Sequence, residues 1–155
     1  MKEPERDEIA ALLEAAMYKE VASATLYGEA RKLTDDPGTR ALLTELAADE
    51  ERHLERLKAL PKSGLQQRQW RLKKVTDLRL SDYLTGGGSL AGAGLQDSLI
   101  FAMKQEEQSI LFYTQMMAAL RSRGGKELCQ WLVQEELRHK LRLELIYEEL
   151  FYAED

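Results

Sequence analysis

The sequence predicts an all-α protein: a four-helix bundle built from two antiparallel hairpins joined by a long crossover. Three observations predict it. Leucine occurs 27 times and alanine 17 times, against 7 valines and isoleucines together, and β-branched residues are the ones that favour strands. Apolar residues recur at three- and four-residue spacing through four long segments. The three prolines, at positions 4, 37 and 61, interrupt none of those segments.

The first segment covers about 7–33, with Ile9, Leu13, Ala16, Met17, Ala24 and Tyr27 on one stripe. Asp36-Pro37-Gly38 follows, a good N-cap and a residue suited to the first helical position. The second helix covers about 37–60, with Leu42, Leu46, Leu57 and Leu60 inward, and Pro61 ends it. The third covers about 96–122 and carries Leu99, Met103, Ile110, Tyr113, Met117 and Leu120. Gly124-Gly125 reads as its stop signal. The fourth covers about 126–151, with Leu128, Leu132, Leu143, Ile146 and Leu150. The two short loops make each helix pair an antiparallel hairpin. The crossover, about 61–95, holds a glycine run, Gly86-Gly87-Gly88, that lacks the Gly-Lys-Ser/Thr of a phosphate loop and reads as linkage.

At 155 residues the chain is expected to form one domain over 1–155. A net charge of −5 without a basic stripe argues against nucleic acid. No apolar run approaches the ~18 residues of a membrane span, and the charged first residues do not resemble a signal peptide. Cys129 is the one cysteine, so no internal disulfide can form. These features set the expectation of a cytoplasmic protein with no membrane or nucleic-acid partner.

The hairpins match each other at a constant offset of 86 residues. The window 13–60 contains 14 identities, where unrelated helices would give roughly 3–5 from average residue usage. Glu20 pairs with Glu106, Tyr27 with Tyr113, Glu50 with Glu136, Arg52 with Arg138, and His53 with His139. Matching leucines would mean little; matching Glu, His, Tyr and Gly carries the repeat.

The two histidines both stand three residues after a glutamate, in Glu50-Glu51-Arg52-His53 and Glu136-Leu137-Arg138-His139. Residues i and i+3 share a helix face, so each pair offers a carboxylate and an imidazole to one point on the leucine stripe. Glu20 and Glu106 fall on the inward stripes of their own helices. In a hairpin, residues equidistant from the turn are level. Glu20 and Glu50 centre on residue 35, and Glu106 and Glu136 on 121, so each pair meets ~22 Å from its turn, mid-bundle. Four buried carboxylates are untenable as bare charges, so either several are protonated or cations neutralise them. Two divalent ions balance them, and the mixture of carboxylate and imidazole suits iron or manganese, with zinc possible. One Glu from each of two helices and Glu-x-x-His from each of the others is the di-iron bundle pattern.

On these residues the chain resembles the rubrerythrin-like, ferritin-like di-iron proteins. The ferritin-like arrangement is itself a bundle with one long crossover. The stretches Thr76-Asp77-Leu78-Arg79-Leu80-Ser81-Asp82-Tyr83-Leu84 and Ala102-Met103-Lys104-Gln105-Glu106 share the likeness. The resemblance implies two iron ions, with Glu50 and Glu136 bridging, Glu20 and Glu106 terminal, and His53 and His139 on one ion each. It implies a di-iron oxidoreductase that reacts with hydrogen peroxide or dioxygen, linked to oxidative stress and dependent on an external electron donor. The alternatives are a ferroxidase or iron-binding protein without organic substrate, and a structural bundle with a vestigial site. Two departures stand out. The single cysteine excludes a rubredoxin-like Cys-x-x-Cys module. A second third-helix glutamate, three residues after the first, is replaced by Ser109, and Glu107 lies about 100° around the helix.

Around this set, Tyr27 and Tyr113 are expected to hydrogen-bond ligand carboxylates from the second layer. Asp49 and Glu135 are placed to orient histidines or to face solvent. Arg52 and Arg138 are explained by solvent as well as by pairing. Met17, Met103, Met116, Met117, Cys129, Trp70 and Trp131 read as packing residues. A pseudo-symmetric ligand set leads to the expectation that both metals are similarly open. The glycine-rich hinge leads to a homodimer, with exchanged hairpins as one form of it.

Overall fold

The computed structural model describes residues 3–59, 77, 79 and 94–152. Among the described residues there are four helices and no strand: α1 (Glu3–Arg31), α2 (Pro37–Lys58), α3 (Leu95–Ala119) and α4 (Arg123–Tyr147), followed by a π-helical turn over Glu148–Tyr152. The all-helical class and the four helical segments match expectation. The crossover over 61–95 lies almost wholly outside the described residues, as do Leu60 and Trp70. No described helix is long and apolar enough to cross a membrane.

α2 begins as its sequence dictates. Asp36 accepts hydrogen bonds from the Thr39 N–H at 2.9 Å and the Thr39 hydroxyl at 2.6 Å, and Pro37 occupies the first turn. The second hairpin turn differs from expectation. α3 stops at Ala119, and Gly124-Gly125 form the first turn of α4 rather than a stop. Ser122 caps that turn, accepting from the Gly125 N–H at 3.0 Å. A Cβ on Gly125 would stand 2.8 Å from the Ser122 hydroxyl, so the cap needs a glycine there. The end of α4 also differs. At Glu148 the helix widens into the π turn, which shifts the side-chain phase and leaves Leu150 exposed instead of inward.

Contacts at the helix ends fix the topology. The Glu8 carboxylate near the start of α1 accepts from the backbone N–H groups of Arg121 and Ser122, at 2.5 and 3.0 Å, where α4 starts. Gly38 at the start of α2 lies beside Leu95 at the start of α3. So α1 and α4 run one way and α2 and α3 the other. The end of α2 and the start of α3 lie at opposite ends of the bundle.

The core has two apolar layers. One gathers Tyr27, Leu42, Leu43, Leu46, Leu99, Met103, Leu143 and Tyr147. The other gathers Ile9, Leu12, Leu13, Leu57, Tyr113, Leu128, Cys129 and Leu132. Each helix contributes to both layers, and the residues that each places between them are polar: Glu20, Glu50 with His53, Glu106, and Glu136 with His139. The outer surface of α1 keeps Tyr18, Val21 and Leu26 exposed, with Leu111 of α3 exposed as well.

Candidate metal centre

The polar layer arises from helical phase. Glu20 follows Ala16 by four residues and precedes Tyr27 by seven; Glu106 stands between Met103 and Tyr113 in the same way. Glu50 lies between Leu46 and Leu57, and Glu136 between Leu132 and Leu143. An inward stripe delivers these carboxylates to the core because its apolar neighbours on both sides are buried. Glu20, Glu50, Glu106 and Glu136 are all buried, and so is His53. His139 is not: its side chain is 23% exposed, against 1% for His53.

The six residues predicted as ligands come together. His53 Nδ1 lies 2.8 Å from Glu20 Oε1 and 3.5 Å from Glu136 Oε1. His139 Nδ1 lies 4.0 Å from Glu50 Oε1 and 3.9 Å from Glu106 Oε1. The imidazole centroids are 5.4 Å apart, edge to face. Three groups of ligand atoms lie within 4.8 Å of one another and could hold a metal ion: Glu20, Glu50 and His53; Glu50, Glu106 and His139; and His53, Glu136 and His139. Glu50 therefore belongs to a group with each histidine, and Glu136 joins both histidines.

Electrostatics without a cation are strained. Burial drives the Glu20 and Glu106 carboxyls well into the protonated range, with neighbouring carboxylates adding to the rise, and it raises Glu50 against the hydrogen bonds from Glu20 and Glu106. Burial also pushes Glu136 up, but hydrogen bonding from Glu106, with help from Glu20, outweighs it, so Glu136 keeps the charge. Burial lowers His53 and keeps it neutral. Shared protons thus stand in for cations.

That substitution leaves atoms unserved. Glu20 Oε2, Glu106 Oε2, Glu136 Oε1, both nitrogens of His53 and Nδ1 of His139 are buried without a hydrogen-bond partner. The 2.8 Å approach of His53 Nδ1 to Glu20 Oε1 does not form a hydrogen bond. Buried polar atoms are nearly always paired. Oxygen and imidazole donors aimed at common points, all lacking partners, fit divalent metal ions.

The surrounding residues partly depart from expectation. Tyr27 and Tyr113 are buried beside the site, yet neither hydroxyl forms a hydrogen bond. Burial, together with the nearby carboxylates, holds both well above the usual phenol range, so both remain neutral. Asp49 and Glu135 do not orient histidines; they bind arginines. Glu135 takes Arg56 at 2.9 Å and Arg138 at 2.7 Å, and Asp49 takes Arg52 and Arg142. Ser109 is buried and donates back to the Gln105 carbonyl at 3.1 Å. Met103 and Cys129 are core residues as expected, and burial pushes the Cys129 thiol up to about 11. The pseudo-symmetric ligand set does not extend to exposure, for His139 is more open to solvent than His53.

Two residues matter more than their sequence context suggests. Trp131 packs against His53, with ring centroids 6.0 Å apart. Lys140 is buried and donates to Asp77 at 2.8 Å, an ion pair that ties α4 to residue 77. Each breaks the 86-residue repeat: Trp131 stands where the first hairpin has Glu45, and Lys140 where it has Leu54. The repeat does not single them out, because most aligned positions differ between the two hairpins. No protein-family model matches the chain, and neither a curated protein nor a solved structure matches it.

Proposed function

We propose that the chain is a ferritin-like, rubrerythrin-like di-iron carboxylate protein, an oxidoreductase that reacts with hydrogen peroxide or dioxygen and draws electrons from an external donor. The observation that carries the reading is the layer of four buried glutamates, buried His53 and partly exposed His139, in which every residue but Glu50 has a buried ligand atom without a hydrogen-bond partner. Glu20, Glu50 and His53 would hold one ion and Glu106, Glu136 and His139 the other, with Glu50 and Glu136 shared. When bound, an iron pair supplies the two electrons that reduce an O–O bond and regains them from the donor. The protein's own residues do the rest. The glutamates supply a charge of −4 that offsets two divalent ions. The apolar layers above and below exclude water and strengthen every charge interaction inside. Tyr27 and Tyr113 stay neutral beside the carboxylates and add no further negative charge.

Ser109 sets the expected oxidant preference. Its hydroxyl is committed to Gln105, and a neutral hydroxyl cannot replace a carboxylate as an anionic ligand. The diferrous protein is expected to oxidise with both dioxygen and peroxide. Stopped-flow rates at matched concentration should differ by less than about a hundredfold, ~2.7 kcal/mol of barrier. A larger preference for peroxide counts against the reading, and Ser109→Glu is expected to widen the gap. The same reading includes a homodimer; light scattering at micromolar concentration that returns a monomer removes it.

A further inference from the structure

The structure repeats the ion pairs of the two hairpins as the sequence repeats their residues. Arg56 of α2 reaches Glu135 of α4. Its counterpart Arg142 of α4 reaches back to Asp49 of α2, the counterpart of Glu135. Arg138 and Arg52 join each carboxylate from the next turn of the same helix. The two histidines thus sit in equivalent frames, with α2 and α4 antiparallel.

One neighbour of that frame breaks the equivalence. Trp131 of α4 lays its ring against His53, tilted by 58°, and the Arg56 guanidinium sits 5.3 Å over the Trp131 ring. Buried Glu135 holds Arg56, Arg56 covers Trp131, and Trp131 covers His53. On the opposite side the counterpart residue is Glu45. It pairs with Arg142 at 3.2 Å, points outward with its side chain 61% exposed, and lays no ring over His139. The outcome is the contrast between a sealed His53 and a solvent-facing His139.

We infer that, among the described residues, the site opens on the His139 side alone, and that Trp131 is the positioning residue that closes the other side. What passes through it rests on the metal-centre reading: divalent ions, and oxidants as small as peroxide or dioxygen. An ion at the Glu50, Glu106 and His139 group faces the opening. An ion at the Glu20, Glu50 and His53 group lies behind it, shielded by the indole. The two positions should therefore load and exchange at different rates, although their ligands are chemically alike.

The test treats the full metal-free chain with diethylpyrocarbonate and locates modified imidazoles by mass spectrometry. His139 is expected to react at least about tenfold faster than His53; equal rates, or a faster His53, overturn the inference. Trp131→Ala should raise the His53 rate to near that of His139. Because that variant removes a packed ring, Glu45→Trp at an exposed position supplies a second arm: it should slow His139, and an unchanged rate there overturns the role given to these two positions. Cobalt(II)-loaded protein challenged with a chelator should then lose its ions in two phases, the faster one slowed by Glu45→Trp. A chain that takes up no cobalt but still shows selective labelling of His139 overturns the metal-centre reading and leaves the single opening standing. A chain that binds cobalt but labels both histidines equally does the reverse.

Discussion

Reconstituted with ferrous iron, the protein should carry about two ions per chain and melt about 10–20 °C above its metal-free form. The magnitude follows from linkage. An ion present at a hundredfold excess over its dissociation constant stabilises the folded state by about 2.7 kcal/mol. Two ions give about 5 kcal/mol, and each kcal/mol moves the midpoint by about 2–4 °C for a chain of this size. The physical source is the relief of the unpartnered atoms on Glu20, Glu106, Glu136, His53 and His139. Elemental analysis and paired thermal scans, with reversal by a chelator, check it; one ion or none per chain sinks the proposed stoichiometry. Substitutions then test the sharing. Glu50 belongs to the groups of both histidines, so Glu50→Ala should lower occupancy at both positions. Glu20 belongs to one group, so Glu20→Ala should cost one ion and leave the other. If Glu50→Ala also costs a single ion, Glu50 is a terminal ligand and the bridging assignment is wrong.

Both effects draw on a site that is largely legible in the amino-acid sequence. The four helices follow from the spacing of Leu, Ala and Met, and the start of α2 from Asp36 and Pro37. The convergence of Glu20, Glu50, Glu106, Glu136, His53 and His139 follows from the repeat and from hairpin geometry, because residues level with one another about a turn must meet. What escapes depends on phase and on cross-helix contact. Gly124-Gly125 stop nothing, because Ser122 supplies an N-cap just ahead of them and the glycines give it room. Leu150 leaves the apolar stripe because a π turn changes the phase after Tyr147, and no composition rule marks such a turn. Asp49 and Glu135 bind arginines from the opposite hairpin, a choice set by the distance between α2 and α4. The unequal exposure of the histidines traces to Trp131 and Glu45. That difference is one mismatch among many in the repeat, and its meaning appears only when α4 is laid against α2.

The second large effect concerns pH, and its sign separates the metal-free from the loaded protein. Glu20 and Glu106 are held protonated in the folded, metal-free chain, chiefly by burial, which raises Glu50 as well, while in the unfolded chain carboxyls ionise near their ordinary 4.5. Above that pH the folded state binds more protons, so its stability falls as pH rises, by about 1.4 kcal/mol per pH unit for each proton retained. His53 opposes this at lower pH. Burial depresses it below its ordinary 6.5, so up to that point the unfolded chain takes a proton that the folded one refuses. Glu136, lowered in the folded state, has already lost its proton in both states above 4.5. Above pH 6.5 the carboxyls raised that far, Glu20 and Glu106, carry the effect, and the midpoint of the metal-free protein should drop steadily toward alkaline pH. Metal ions bind the deprotonated ligands and displace those protons, so in the loaded protein the loss disappears. The gap between the two melting curves should therefore widen as pH rises from about 6.5 to about 8.5, by about 3 kcal/mol for one retained proton and more for each further one. Thermal scans of both forms across that window measure it. A gap that stays constant would show that the carboxylates are already ionised without metal, and would remove shared protons as the means by which the metal-free core tolerates four glutamates.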